Sequence, residues 1–113
     1  MIYEIRNYHF RPDLIEDYKV WARSSALPYL SSRMDVVGFW VKTGDPVEVL
    51  GEPQDKLGPA NITWIIRWRD LDQRHAAWAA ALATPEWDEV AAKAPGGPAS
   101  YLRHEFRYME SLV

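Results

Sequence analysis

Six side chains in this sequence have types suited to chemistry on a small molecule: Asn7, His9, Trp64, Trp68, His75 and His104. The three histidines titrate near neutrality when unperturbed, so each is a candidate acid or base. A histidine placed beside an acidic carbon or a phenol could take its proton with no metal or cofactor. His75, His9 and His104 are therefore the catalytic candidates. Asn7 would add a polar handle, and Trp64 and Trp68 would supply aromatic walls. Ligand pockets commonly combine apolar walls with a few converging polar groups. The plainer alternative has each histidine hydrogen-bonded in the core or facing water at a strand end, and each tryptophan packed as core.

Other chemistries find less support. His9, His75 and His104 have no short ligand spacing, so no metal site is expected. No cofactor is expected either, because GxGxxG, P-loop and HExxH patterns are missing. No serine or threonine sits at a nucleophile elbow. The absence of cysteine removes disulfides and thiolate catalysis.

These residues need elements to position them. The central stretch is Asn61–Trp87, which holds Trp64, Trp68, Trp78 and Trp87. Ile62, Trp64, Ile66 and Trp68 alternate onto one face of a predicted strand, with Thr63, Ile65 and Arg67 on the other. Asp70 stands at a helix N-cap, and Gln73 is its capping-box partner. Leu71, His75, Trp78 and Leu82 follow at helical spacing. Thr84-Pro85-Glu86 repeats the start signal for a second helix.

Before this stretch, Ile2–Phe10 alternates as a strand. A helix is predicted from Asp13, kinked or ended near Pro28 and extending as far as Leu30. Val36–Thr43 is a second strand. Gly44–Pro59 carries Gly44, Gly51, Gly58, Pro46, Pro53 and Pro59, and reads as a long loop with a short strand at Val47–Leu50. After a break at Ala94–Pro98, Ser100–Met109 is the last strand.

The order strand, helix, strand, strand, helix, strand is the ferredoxin-like split βαβ arrangement. It makes an antiparallel sheet with the first and third strands central and both helices on one face. The helix-covered face is expected to hold Tyr3, Ile5, Asn7, His9, Trp64, Trp68, Leu102, His104 and Phe106. The open face is expected to hold Glu4, Arg6, Tyr8, Phe10, Ile65, Arg67, Arg103, Glu105 and Arg107. On that open face, Glu and Arg are expected to form a cross-strand ladder, with clamping of a substrate carboxylate as the alternative.

With 113 residues, 48% of them hydrophobic, the chain reads as one globular domain spanning 1–113. The net charge of −3 offers no basic patch for nucleic acid. No apolar run approaches the ~20 residues of a membrane span, and the N-terminus is a strand rather than a signal peptide. No membrane partner is expected, and a cytoplasmic location is.

Three stretches together resemble the NIPSNAP family: YEIRNYHFRPD at 3–13, the GFW strand at 38–40, and WIIRWRDLDQR at 64–74 with its Ala-rich helix and ATPEW. The resemblance implies a dimeric α+β barrel, in which two ferredoxin-like protomers put their sheets face to face with helices outside. Relatives in that superfamily include cofactor-independent monooxygenases, lactone isomerases, haem-binding proteins and simple ligand binders. Gly44–Pro59 departs from the tight hairpin common in the family. The expected function is a homodimeric binder of a small apolar or aromatic molecule, paired through the open sheet face. One alternative is a cofactor-independent monooxygenase or isomerase acting on an aromatic or polyketide-like substrate. The other is a protein-interaction module without a ligand.

Overall fold

The computed structural model describes residues 1–113. Strand β1 (Ile2–Phe10) leads through a 3-10 turn into α1 (Ile15–Trp21), a π turn at Ala22–Ala26 and α2 (Leu27–Ser31). Strands β2 (Asp35–Val41) and β3 (Ile62–Trp68) follow, then α3 (Leu71–Leu82), α4 (Pro85–Ala92) and β4 (Tyr101–Met109). The sheet order is β2-β3-β1-β4 and every pairing is antiparallel. This is an α+β ferredoxin-like fold with the first and third strands central, as the order of elements predicts.

Local chemistry explains the joints. Asp70 accepts from the Gln73 backbone N–H at 2.8 Å, and the Gln73 side chain accepts from the Arg69 N–H at 2.6 Å. Thr84 accepts from the Trp87 N–H at 3.0 Å, with Pro85 in the first turn. Pro28 does not end the first helical stretch. The wider π turn just before it absorbs the missing donor, and α2 runs on to Ser31. Trp21 ties α1 to α4 through the Val90 carbonyl at 2.9 Å. Asn61 acts as an extra strand residue, exchanging two 2.8 Å hydrogen bonds with the Phe10 backbone.

Register decides which face of β1 is buried, and it reverses the expectation from sequence. Glu4 stands opposite Ile66, Arg6 opposite Trp64 and Tyr8 opposite Ile62. Directly paired residues share a face. The helix-covered face therefore carries Glu4, Arg6, Tyr8 and Phe10, all buried, beside Trp64 and Trp68. Tyr3, Ile5, Asn7 and His9 lie on the open face instead, opposite Arg67, Ile65, Thr63 and Arg103. Phe106 and His104 pair with Arg6 and Tyr8 on the helix side, whereas Leu102 is left out of register at a bulge and is half exposed.

The segment between β2 and β3 contains no strand at Val47–Leu50, and Leu50 is 97% exposed. Its later half is pinned onto the open face. Asp55 pairs with Arg103 at 2.9 Å, and the Gly58 carbonyl meets His9 Nε2 at 3.1 Å. On the same face, Trp40 folds back over Gly38. A Cβ at Gly38 would fall 2.2 Å from the indole, so only glycine admits that ring position. No helix is long and apolar enough to cross a membrane.

Candidate functional site

A cavity of about 400 Å³ opens between the helices and the sheet. Tyr18, Trp21 and Leu30 from the first helical stretch form one wall, Phe39 and Trp64 the floor, and Trp78, Leu82 and Trp87 a second wall. Tyr8, Tyr101, His104 and Phe106 close the β4 side, while Arg6 and Arg74 are its charged groups. The walls are thus almost wholly aromatic or aliphatic, and the two charged groups converge at one end, on Glu4.

That end is built from the buried alternation of β1. The Glu4 side chain is wholly buried and accepts from Arg6 Nη1 at 2.7 Å and from Arg74 at 3.0 and 3.1 Å. It also accepts from the indoles of Trp68 at 2.9 Å and Trp78 at 3.2 Å. One carboxylate thereby serves two guanidiniums and two indole N–H groups. Burial alone would raise the Glu4 carboxyl pKa. The hydrogen bonds from Arg74 and Arg6, the Arg6 charge and the Trp68 indole together hold it below its ordinary value.

Arg6 extends the network into the cavity. Its Nε donates to the Tyr8 hydroxyl at 2.6 Å, and the same oxygen accepts from Trp64 Nε1 at 2.9 Å. Its guanidinium carbon lies over the Phe106 and Trp78 rings, 3.7 and 4.5 Å from their centroids. Burial pushes the Tyr8 phenol up despite the Arg6 charge, so the hydroxyl keeps its proton at neutral pH. Burial likewise raises Tyr18, and lifts Tyr101 to about 12. His104 is pushed the other way, first by desolvation and then by Arg6, so its imidazole is neutral at pH 7. The Tyr8 and His104 rings lie 5.0 Å apart. A protonated phenol and a neutral imidazole thus border one apolar space.

The six residues singled out from the sequence divide among several places. Trp64 and His104 line the cavity. Trp68 is buried just beyond it, holding Glu4. Asn7 lies on the open face, accepting from Thr63 at 2.6 Å. His9 is on that face too, under the loop. His75 is exposed, and its Nδ1 lies 3.2 Å from Arg74 Nη1. The buried stripe of α3 is set by Arg74, Trp78 and Ala81 rather than by Leu71, His75 and Leu82, because the small Ala81 lets the helix settle close. Sequence reading put Glu4, Arg6 and Tyr8 on the open face, with an arginine clamp on a carboxylate only as the alternative, and did not single out Arg74. One signal points to them: Trp68 and Trp78 need an acceptor, and Glu4 is the carboxylate that pairing with β3 brings beneath them.

Fold and site together define a small α+β protein whose helix-covered face encloses an aromatic cavity with an arginine-rich polar end. The chain belongs to the NIPSNAP family, whose model matches residues 3–99. Solved structures share the fold. Protein Atu4242 from Agrobacterium tumefaciens is 23% identical, covers 97% of this chain and 92% of its own, and superposes with a TM-score of 0.74. An uncharacterized NIPSNAP-like domain protein from Burkholderia xenovorans is 19% identical, with 98% and 84% covered and a TM-score of 0.75. A protein described as an antibiotic biosynthesis monooxygenase is 14% identical over the whole of both chains, with a TM-score of 0.56. No curated protein matches the chain.

Proposed function

We propose that this protein binds a small apolar or aromatic molecule in the cavity between sheet and helices. The observation that carries this reading is the cavity itself: about 400 Å³, walled mostly by aromatic and aliphatic side chains, with its two charged groups, Arg6 and Arg74, meeting on Glu4. That size falls in the ~300–1,000 Å³ range of small-molecule sites. A fully packed core would have favoured an interaction module without a ligand.

A second reading, cofactor-independent oxygenation or isomerisation, draws on Tyr8 and His104. A neutral imidazole can accept a proton and a protonated phenol can hydrogen-bond the oxygen that gains charge. The likeness to a protein described as an antibiotic biosynthesis monooxygenase is compatible with that reading.

The homodimer belongs to the same proposal. The open face carries Ile5, Ile65 and the half-exposed Trp40 among ion pairs. Pairing across a twofold axis would bring this mixed surface against its own copy, where opposite charges can meet.

Titration calorimetry with the neutral probe 2-naphthamide tests the binding reading. Leu82 lines the mouth and is half exposed, so Leu82→Trp should fill space without unfolding the chain. The expected result is saturable binding that falls by roughly tenfold or more in Leu82→Trp and is unchanged in His75→Ala. No binding by the parent protein, or equal binding by Leu82→Trp, would overturn it.

A further inference from the structure

We infer that the cavity selects an acid: a planar aromatic or apolar molecule whose carboxylate, enolate or phenolate oxygen meets the Tyr8 hydroxyl and Arg6. This deepens the cavity-binding reading and rests on it.

The argument begins with a hydroxyl whose hydrogen bonds are incomplete. Tyr8 oxygen accepts from two N–H donors, Arg6 Nε and Trp64 Nε1, which occupy both of its lone pairs. Its own proton must therefore point outward, and no acceptor in the chain takes it. Arg6 is in the same condition. Nε and Nη1 are engaged with Tyr8 and Glu4, while Nη2 donates to no protein atom. Both residues line the cavity, so both free donors belong to its polar end.

Charge points the same way. Glu4 is the one acid of the network, and it is shared between Arg6 and Arg74. One positive charge is left over, and none of the residues lining the cavity is an acid. Burial keeps the Tyr8 phenol protonated, so it does not cancel that excess, and the neutral His104 does not add to it. The Arg6 guanidinium carbon lies over the Phe106 and Trp78 rings, 3.7 and 4.5 Å from their centroids, and its Nη2 edge is the part left without a protein partner. An edge-on guanidinium beside a hydroxyl donor suits a planar anion better than an amide or alcohol, because hydrogen bonds to an ionised acceptor are roughly twice as strong. The walls then require the rest of the ligand to be apolar, since they offer almost no hydrogen bonds.

The test compares two isosteric probes, 2-naphthoate and 2-naphthamide, by titration calorimetry at about pH 7.5, where the acid is ionised. Naphthoate should bind roughly tenfold or more tightly than the amide. Tyr8→Phe should shrink that preference, and so should Arg74→Gln, which leaves Glu4 and Arg6 as a neutral pair. Arg74 reaches the site from α3 rather than from the sheet, so its replacement keeps the test usable if Tyr8→Phe folds poorly. Equal binding of the two probes, or tighter binding of the amide, would overturn the acid preference and leave the cavity reading standing. A preference that persists unchanged in both variants would also overturn it. Failure of both probes to bind would bring down both readings together.

Discussion

The two faces of β1 make opposite uses of the same alternation. The helix-covered face holds Glu4, Arg6, Tyr8 and Phe10, and all four are buried. The open face holds Tyr3, Ile5 and Asn7, all only partly buried, and His9, which is buried under the loop. By hydropathy alone the first is the more polar face, yet it is the inner one. Its charges are tolerated because they form a closed set, with Glu4 contacting two guanidiniums and two indoles. Open-face charges form isolated pairs instead, such as Arg67 with Asp35 at 2.7 Å, each side chain about half exposed. A charge buried in a network fixes a cavity, whereas a charge paired in water mostly keeps a surface soluble or sets a register.

The sharpest way to break this comparison is to delete Glu4. Glu4→Ala leaves Arg6, Arg74 and the indoles of Trp68 and Trp78 without their shared acceptor. Removing one partner of a buried ion pair costs about 3–5 kcal/mol. Urea unfolding should show a loss on that scale, large against the ~5–15 kcal/mol of a typical domain. Asp35→Ala on the open face should cost about 1 kcal/mol or less. Equal losses would show that the buried network is no more than a surface pair in effect.

A smaller effect is expected from acid. Glu4 titrates below its ordinary value of 4.5 in the fold, so the unfolded chain takes up its proton first as pH falls. Its contribution to stability is therefore complete above about 4.5 and declines below that, down through the lowered folded value. Glu4→Gln removes the titration and keeps the shape. Thermal midpoints measured from neutral pH down to about 3 should fall less steeply in the variant than in the parent. Parallel acid limbs would mean that other carboxylates govern acid unfolding.

What could be read from the sequence follows the same division. The caps at Asp70 and Thr84 are local signals, each settled by residues three positions apart, and both form as the spacing predicts. Strand order follows from the sequence of elements. The face of β1 is not local. A one-residue change of face moves every side chain to the other side, and Tyr3 and Ile5 argue for one choice while Tyr8 and Phe10 argue for the other. Only pairing with Ile62, Trp64 and Ile66 decides, and pairing is a long-range fact. The same blindness displaced His75. A helical wheel ranks Leu71, His75, Trp78 and Leu82 together, but Ala81 and Arg74 turn the helix so that Leu71 and Leu82 are half exposed.

The open face supplies the smallest expected change in protomer stability and, with it, the test of assembly. Arg67 stands opposite Asp35 on β2 and Tyr3 on β1, and its bridge to Asp35 is half exposed. In a lone protomer, Arg67→Glu exchanges an attraction for a repulsion in water, worth about 1 kcal/mol or less. In a dimer joined through this face, the same carboxylate would be desolvated beside its own copy's charges, a loss of about 3–5 kcal/mol per broken pair. The two measurements therefore separate. Light scattering at micromolar concentration should give a dimer for the parent and a monomer for Arg67→Glu, while the helix-side core keeps its unfolding cooperativity and naphthamide binding is retained. A parent protein that is itself monomeric would refute pairing through the open face. The cavity would be unaffected by that result, because no residue lining it lies on the open face.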